Sequence, residues 1–204
     1  MDEIVRTANV SRPGRRALAT SLPNILTYGR IAAVPAVVAV LYFLDGDHAR
    51  LTAFALFVAA SITDWLDGYL ARAWEQQSDL GRMLDPIADK LLVGAVLMML
   101  VYDHTLHGPA IFAAIVILCR EILVSGLREF LAEINVKVHV SRLAKWKTAA
   151  QMIALGVLLV GPAIEKAVPG IVAFGVGLLW IAALLTIWTG YRYLKAGVAR
   201  AIED

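Results

Sequence analysis

The chain has 204 residues, 59% hydrophobic and 18% charged, with a formal net charge of +2. Soluble domains carry about 45–50% apolar and about 25% charged residues, so this balance points to a membrane protein and excludes an ordinary soluble domain. The small net charge gives no footing for nucleic acid, and the single cysteine, Cys119, excludes an intrachain disulfide and any two-cysteine metal pattern.

Residues 1–23 read as a basic juxtamembrane segment with Arg6, Arg12, Arg15 and Arg16, interrupted by Pro13-Gly14. The apolar stretch that follows is long and lacks a small-residue cleavage pattern, so a removable signal peptide is not expected. A short interfacial helix is compatible with this start. A membrane span needs about 20 mostly apolar residues to cross roughly 30 Å of hydrocarbon. Six stretches meet that need: 24–44, 50–72, 84–102, 109–130, 143–161 and 169–193. Asp45-Gly46-Asp47, Gly108-Pro109, Gly161-Pro162 and Pro169-Gly170 supply turn chemistry between them. Lipid offers no partner to an open strand edge, so the spans must be helices. The expectation is an all-α integral membrane protein, with residues 24–204 as one six-helix domain.

Lysine and arginine placement sets the orientation. The amino-terminal side through Arg30 holds five (Arg6, Arg12, Arg15, Arg16, Arg30) and the connection after span 2 holds Arg72 and Arg82. The connection after span 4 and the start of span 5 hold Arg128, Lys137, Arg142, Lys145 and Lys147, and the tail holds Arg192, Lys195 and Arg200. The opposite side has only Arg50 and Lys166, with Lys90 and Arg120 inside spans. Both termini are therefore expected in the cytoplasm.

Asp64 and Asp67, three apart, share one face of span 2. Asp85 and Asp89, four apart, share one face at the start of span 3. The short connection suggests that these spans are antiparallel neighbours, so four carboxylates converge just inside the cytoplasmic face. A charged side chain deep in a span costs about 2.5–3.5 kcal/mol, so four would cost roughly 10–14 before any relief by water. Lys90 and Arg72 cannot neutralise four carboxylates, but divalent cations can. Oxygen-only ligation suits magnesium first, with manganese as the other candidate, and two ions would share the four aspartates. Gly68, Ala71 and Gly81 leave room for a bulky ligand beside the metals. Arg72 is placed to pair with a phosphate. Helix caps or surface salt bridges would explain one such pair of aspartates, not two with small residues interleaved.

The run from Asp64 to Asp89 follows the pattern D-x2-D-G-x2-A-R-x8-G-x3-D-x3-D at all eight fixed positions. On those residues the chain resembles the CDP-alcohol phosphotransferase family, whose six-helix architecture matches the six spans. The resemblance implies that Asp64, Asp67 and Asp85 bind metal and that Asp89 completes the second metal site. It makes Asp89 the catalytic base that activates an acceptor hydroxyl to attack the β-phosphate of a CDP-linked lipid. Asp67, Gly68, Ala71, Arg72 and Gly81 would border the CDP-lipid. The same resemblance implies a homodimer, and the lysine and arginine count puts the active site on the cytoplasmic side of the cell (inner) membrane.

Four further stretches are similar to the branch that uses CDP-diacylglycerol and glycerol 3-phosphate. They are Leu22-Pro23-Asn24-Ile25-Leu26-Thr27, Asp85-Pro86-Ile87-Ala88-Asp89-Lys90, the run from Arg120 to Glu129, and Lys145-Trp146-Lys147-Thr148. The first adds Asn24 and Thr27 to the CDP-lipid site. Ala144 departs from a frequent glycine, a change that does not touch the metal chemistry.

A dianionic acceptor phosphate needs fixed cations. Arg120 is alone within span 4 and must face protein or water. Lys145 enters span 5 and Arg192 closes span 6 on the same side, so Arg120, Lys145 and Arg192 are the expected phosphate ligands. An ion pair with Glu121 or an aspartate is the plainer role for Arg120, and attraction to anionic lipid is the plainer role for Lys145 and Lys147. Cys119 reads as a small buried apolar residue. His104, His107 and His139 read as solvated, and Trp74, Trp146 and Trp188 as an interfacial belt. Membrane prenyltransferases usually add a second, distant aspartate cluster and more spans. Cation transporters often show internal repeats and broken helices. Neither pattern is present. Inositol phosphate, serine, choline or a second phospholipid remain as other acceptors.

Overall fold

The computed structural model describes residues 22–73, 79–133 and 142–202, and these hold six α-helices and no strand. They are α1 (Leu22–Phe43), α2 (Gly46–Ala73), α3 (Asp79–Tyr102), α4 (Ala110–Glu133), α5 (Arg142–Ile164) and α6 (Ile171–Ile202). Each lies over one expected span. The amino-terminal segment that could hold an interfacial helix, with Trp74 and His139, lies outside the described residues.

Four helices contain stretches long and apolar enough to cross a membrane: Asn24–Phe43, Ala110–Ala132, Lys145–Ile164 and Ile171–Lys195. The other two, α2 and α3, carry the aspartate motif. Side chains divide as a bilayer requires. Phe112, Ile115, Ile122, Ile181, Leu184 and Trp188 are exposed, while Ala53, Ala113, Ala154, Ala182 and Ala183 are buried with Phe57, Leu97, Ile117, Leu155 and Leu179. Small residues inside let helices approach closely, and large apolar residues outside meet lipid. Cys119 is exposed on this outer face, which corrects its reading as buried.

The packing order is not the chain order. α5 packs most extensively on α6, α1 packs on both α2 and α3, α4 packs on α6, and α2 packs on α5. Direct contact between α2 and α3 is slight. The expectation that the two motif helices are close-packed neighbours is therefore corrected, because α1 lies against both.

Away from the motif, the connections are pinned by local chemistry. Gly46, at φ 82°, turns the chain from α1 into α2. Arg50 pairs with Asp103 at 2.9 Å and donates to Thr105 Oγ1 at 2.9 Å, tying the start of α2 to the α3–α4 loop. The Glu165 carboxylate accepts from the Gly170 and Val172 amides at 2.8 and 3.0 Å, capping α6.

Candidate active site

The amino-terminal turns of α1 carry Asn24, Thr27 and Arg30 at intervals of three, and all three are buried. That spacing puts them on one face of a helix. Thr27 Oγ1 donates to Asp85 Oδ1 on α3 at 2.6 Å. Arg30 Nη1 lies 2.5 Å from Asp64 Oδ1 on α2. Two residues one turn apart thus link the two motif helices, which scarcely touch each other.

A cavity of about 680 Å³ opens beside this link. Its walls include Asp64 from α2, Asp85, Pro86, Asp89 and Lys90 from α3, and Arg120, Glu121, Val124, Ser125 and Arg128 from α4. Asp64 feels the like charges of Asp85 and Asp89 as well as the opposite charge of Arg30. Pro86, inside α3, has no amide hydrogen to give the helix, so the turn beside Asp85 is freed of one helical bond. Lys90 Nζ donates to the Pro86 carbonyl at 2.6 Å.

Arg120 and Glu121 of the α4 wall belong to a charged cluster. Lys147 of α5 is buried and paired with Glu121 of α4. Arg120 Nη1 lies 3.5 Å from the same Glu121 oxygen, and its Nη2 donates to Thr189 Oγ1 of α6 at 2.9 Å. The buried Arg120 Nε makes no hydrogen bond, so the guanidinium retains donor capacity.

Of the sequence-derived site residues, Asp64, Asp85, Asp89 and Arg120 therefore share one cavity. Thr27 reaches its wall through Asp85, Asn24 is buried three residues earlier on α1, and Gly81 is buried on α3. Lys145 is exposed and is not among the cavity residues. The side chains of Asp67, Gly68, Ala71, Arg72 and Arg192 lie outside the described residues, although all five positions are helical. Arg120 does approach Glu121, as its plainer role required, but it also faces the cavity. Lys147 is held inside the protein, which removes it from lipid attraction.

Three participants escaped the sequence reading. Arg30 belongs by sequence to the cytoplasmic positive charges but is buried against Asp64. The Asn24, Thr27, Arg30 spacing in an otherwise apolar helix was the available signal. Glu121 mattered only as a partner of Arg120, whereas it also holds Lys147. No pattern in the sequence marked Thr189.

The donor chemistry fits a hard divalent cation, since three aspartates of the motif line one cavity, with Glu121 and Glu129 and without a histidine or cysteine. Among the described residues no three such side chains are grouped closely enough to hold an ion. Asp64 and Asp85 are instead engaged by Arg30 and Thr27.

Known proteins are similar to this chain over most of its length. A family model described as CDP-alcohol phosphatidyltransferase matches residues 20–188. A Rickettsia bellii protein named CDP-diacylglycerol–glycerol-3-phosphate 3-phosphatidyltransferase is 49% identical over 176 residues, covering 86% of this chain and 94% of its own. An Arabidopsis thaliana protein named CDP-diacylglycerol–glycerol-3-phosphate 3-phosphatidyltransferase 2 is 43% identical over 188 residues, covering 86% of this chain and 78% of its own. A rice protein named cardiolipin synthase (CMP-forming) is 40% identical over 189 residues, covering 86% of this chain and 56% of its own.

Proposed function

This chain belongs to the CDP-alcohol phosphatidyltransferase family, and on that premise we propose that it transfers the phosphatidyl group from CDP-diacylglycerol to sn-glycerol 3-phosphate. The products are phosphatidylglycerophosphate and CMP. The observation that carries this reading is one cavity lined by Asp64, Asp85, Asp89 and Arg120. The aspartates suit a pyrophosphate with its cations, and the arginine suits an anionic acceptor.

Members of this family generally use a divalent metal. Asp64, Asp67, Asp85 and Asp89 would hold two ions, magnesium first and manganese as the other candidate, which would neutralise the pyrophosphate charge. Asp89 accepts the proton of the acceptor hydroxyl. The hydroxyl oxygen bonds to the β-phosphorus of the CDP-lipid, the bond from that phosphorus to the bridging oxygen breaks, and CMP leaves. Asn24, Thr27, Asp67, Gly68, Ala71, Arg72 and Gly81 border the CDP-lipid. Arg120 holds the acceptor phosphate from the cavity wall by charge and hydrogen bonding, and Lys145 of α5 and Arg192 of α6 would add positive charge from outside that lining.

The apolar helices make this a multi-pass membrane protein. In our reading all six helices span the cell (inner) membrane. Residues 1–23 form a basic juxtamembrane segment, 24–204 form the catalytic domain, and both termini and the active site face the cytoplasm. The protein acts as a homodimer. The lysine and arginine asymmetry supports the orientation.

The test gives purified protein magnesium, CDP-diacylglycerol and one acceptor at a time, and measures CMP release. Glycerol 3-phosphate should support release, and serine, inositol phosphate and phosphatidylglycerol should not. Release with phosphatidylglycerol alone would move the protein to the reaction named for its rice relative.

A further inference from the structure

We propose that Thr189 and Gly190 of α6 are positioning residues that seat the Arg120 guanidinium in the cavity and so set affinity for the acceptor's phosphate. The inference rests on the reading of Arg120 as a phosphate-binding cation.

Thr189 is buried, and its hydroxyl lies 2.8 Å from the Leu185 carbonyl and 3.2 Å from that of Thr186. Its one proton is therefore committed to its own helix. The oxygen lone pairs are left to accept, and Arg120 Nη2 donates to them at 2.9 Å. A hydroxyl fixed in this way is a directed acceptor rather than a free rotor. The next residue shapes the path of the same side chain. A Cβ at Gly190 would stand 3.2 Å from Arg120 Cγ and 3.5 Å from its Nε. The missing side chain is thus the groove in which the arginine stem lies. Adjacent residues of α6 make one seat: Gly190 admits the stem and Thr189 receives the head. Glu121 adds a longer contact, 3.5 Å, to the other terminal nitrogen. Two neighbours set the plane of the guanidinium while Nε remains without a partner.

The geometry separates seating from folding. Thr189→Val keeps the shape and removes the acceptor, whereas Thr189→Ser keeps the acceptor. Gly190→Ala crowds a flexible side chain that can shift by a few tenths of an ångström, and alanine is the better helix former. Its expected signature is an unchanged or raised thermal midpoint together with weaker acceptor binding, which a purely structural role for Gly190 would not produce.

The experiment measures KM for glycerol 3-phosphate and for CDP-diacylglycerol on full-length protein in detergent, with thermal midpoints alongside. Thr189→Val should raise the glycerol 3-phosphate KM roughly tenfold, the scale of a lost hydrogen bond to a charged group. Gly190→Ala should raise it several-fold, Thr189→Ser should stay near wild type, and no variant should move the CDP-diacylglycerol KM. Arg120→Gln separates the two claims. If it raises the acceptor KM while Thr189→Val and Gly190→Ala do not, the seat is wrong and the reading of Arg120 stands. If it leaves the acceptor KM unchanged, the reading of Arg120 falls and the inference with it. Should Thr189→Val fail to fold, Gly190→Ala decides.

Discussion

A buried arginine in an apolar helix needs a polar partner, and Arg30 meets Asp64. Arg30 is 1% exposed and Asp64 47%, so the pair is half in water and weaker than a fully enclosed one. Removing one partner of a fully buried pair costs about 3–5 kcal/mol. For Arg30→Gln we expect a smaller loss, about 1–3 kcal/mol, seen as a lower thermal midpoint together with reduced turnover. An unchanged midpoint would show that the pair adds nothing to the fold. Repeated identity and spacing in the sequence single out Asp64, Asp85 and Asp89, which line one cavity, while the side chain of Asp67 lies outside the described residues. Arg30 was not legible in this way, because a charge near a span's end looks like an orientation signal until its neighbours are known. Thr189 was not, because a hydroxyl in an apolar helix most often bonds its own backbone, which this one also does.

Helix α6 is held most extensively by α5, and its early turns depend on a missing side chain. A Cβ at Gly175 would stand 3.0 Å from Leu158 Cδ2 and 3.0 Å from Val157 Cγ1. Gly175→Val should therefore wedge α5 and α6 apart and destabilise the protein by about 1–3 kcal/mol, the usual cost of overpacking. A thermal midpoint at or above the wild-type value would contradict that close approach. Helix positions were readable from apolar length and turn residues, since each of the six lies over its expected stretch. Partner choice was not. A short connection between α2 and α3 implied neighbours, yet both pack on α1. Connection length limits how far apart two helix ends lie, not which third helix comes between them.

Across the whole molecule, polar chemistry gathers at one end. The early turns of α1, α3 and α5, the middle of α4 and the later halves of α2 and α6 meet there, through Thr27–Asp85, Arg30–Asp64, Lys147–Glu121 and Arg120–Thr189. The Arg50–Asp103 pair lies toward the other end, with Arg50 about 21 Å from Asp64 along α2 at 1.5 Å per residue. Such polarity lets a water-soluble acceptor meet a lipid-anchored nucleotide at one face of the membrane. With Cys119 replaced by serine, a cysteine at Lys166 should react with a membrane-impermeant maleimide on intact cells, and one at Lys195 should react only after permeabilisation. The reverse pattern would invert the orientation. The most direct test of the account follows label from glycerol 3-phosphate into chloroform-soluble lipid, with CDP-diacylglycerol and magnesium present, for the wild type and Asp89→Asn. The account predicts labelled phosphatidylglycerophosphate from the wild type and a loss of about 10²–10⁴-fold in the variant, the contribution of a positioned general base, with CDP-lipid binding retained. Label that stays in the aqueous phase, or near-normal transfer by Asp89→Asn, would contradict it.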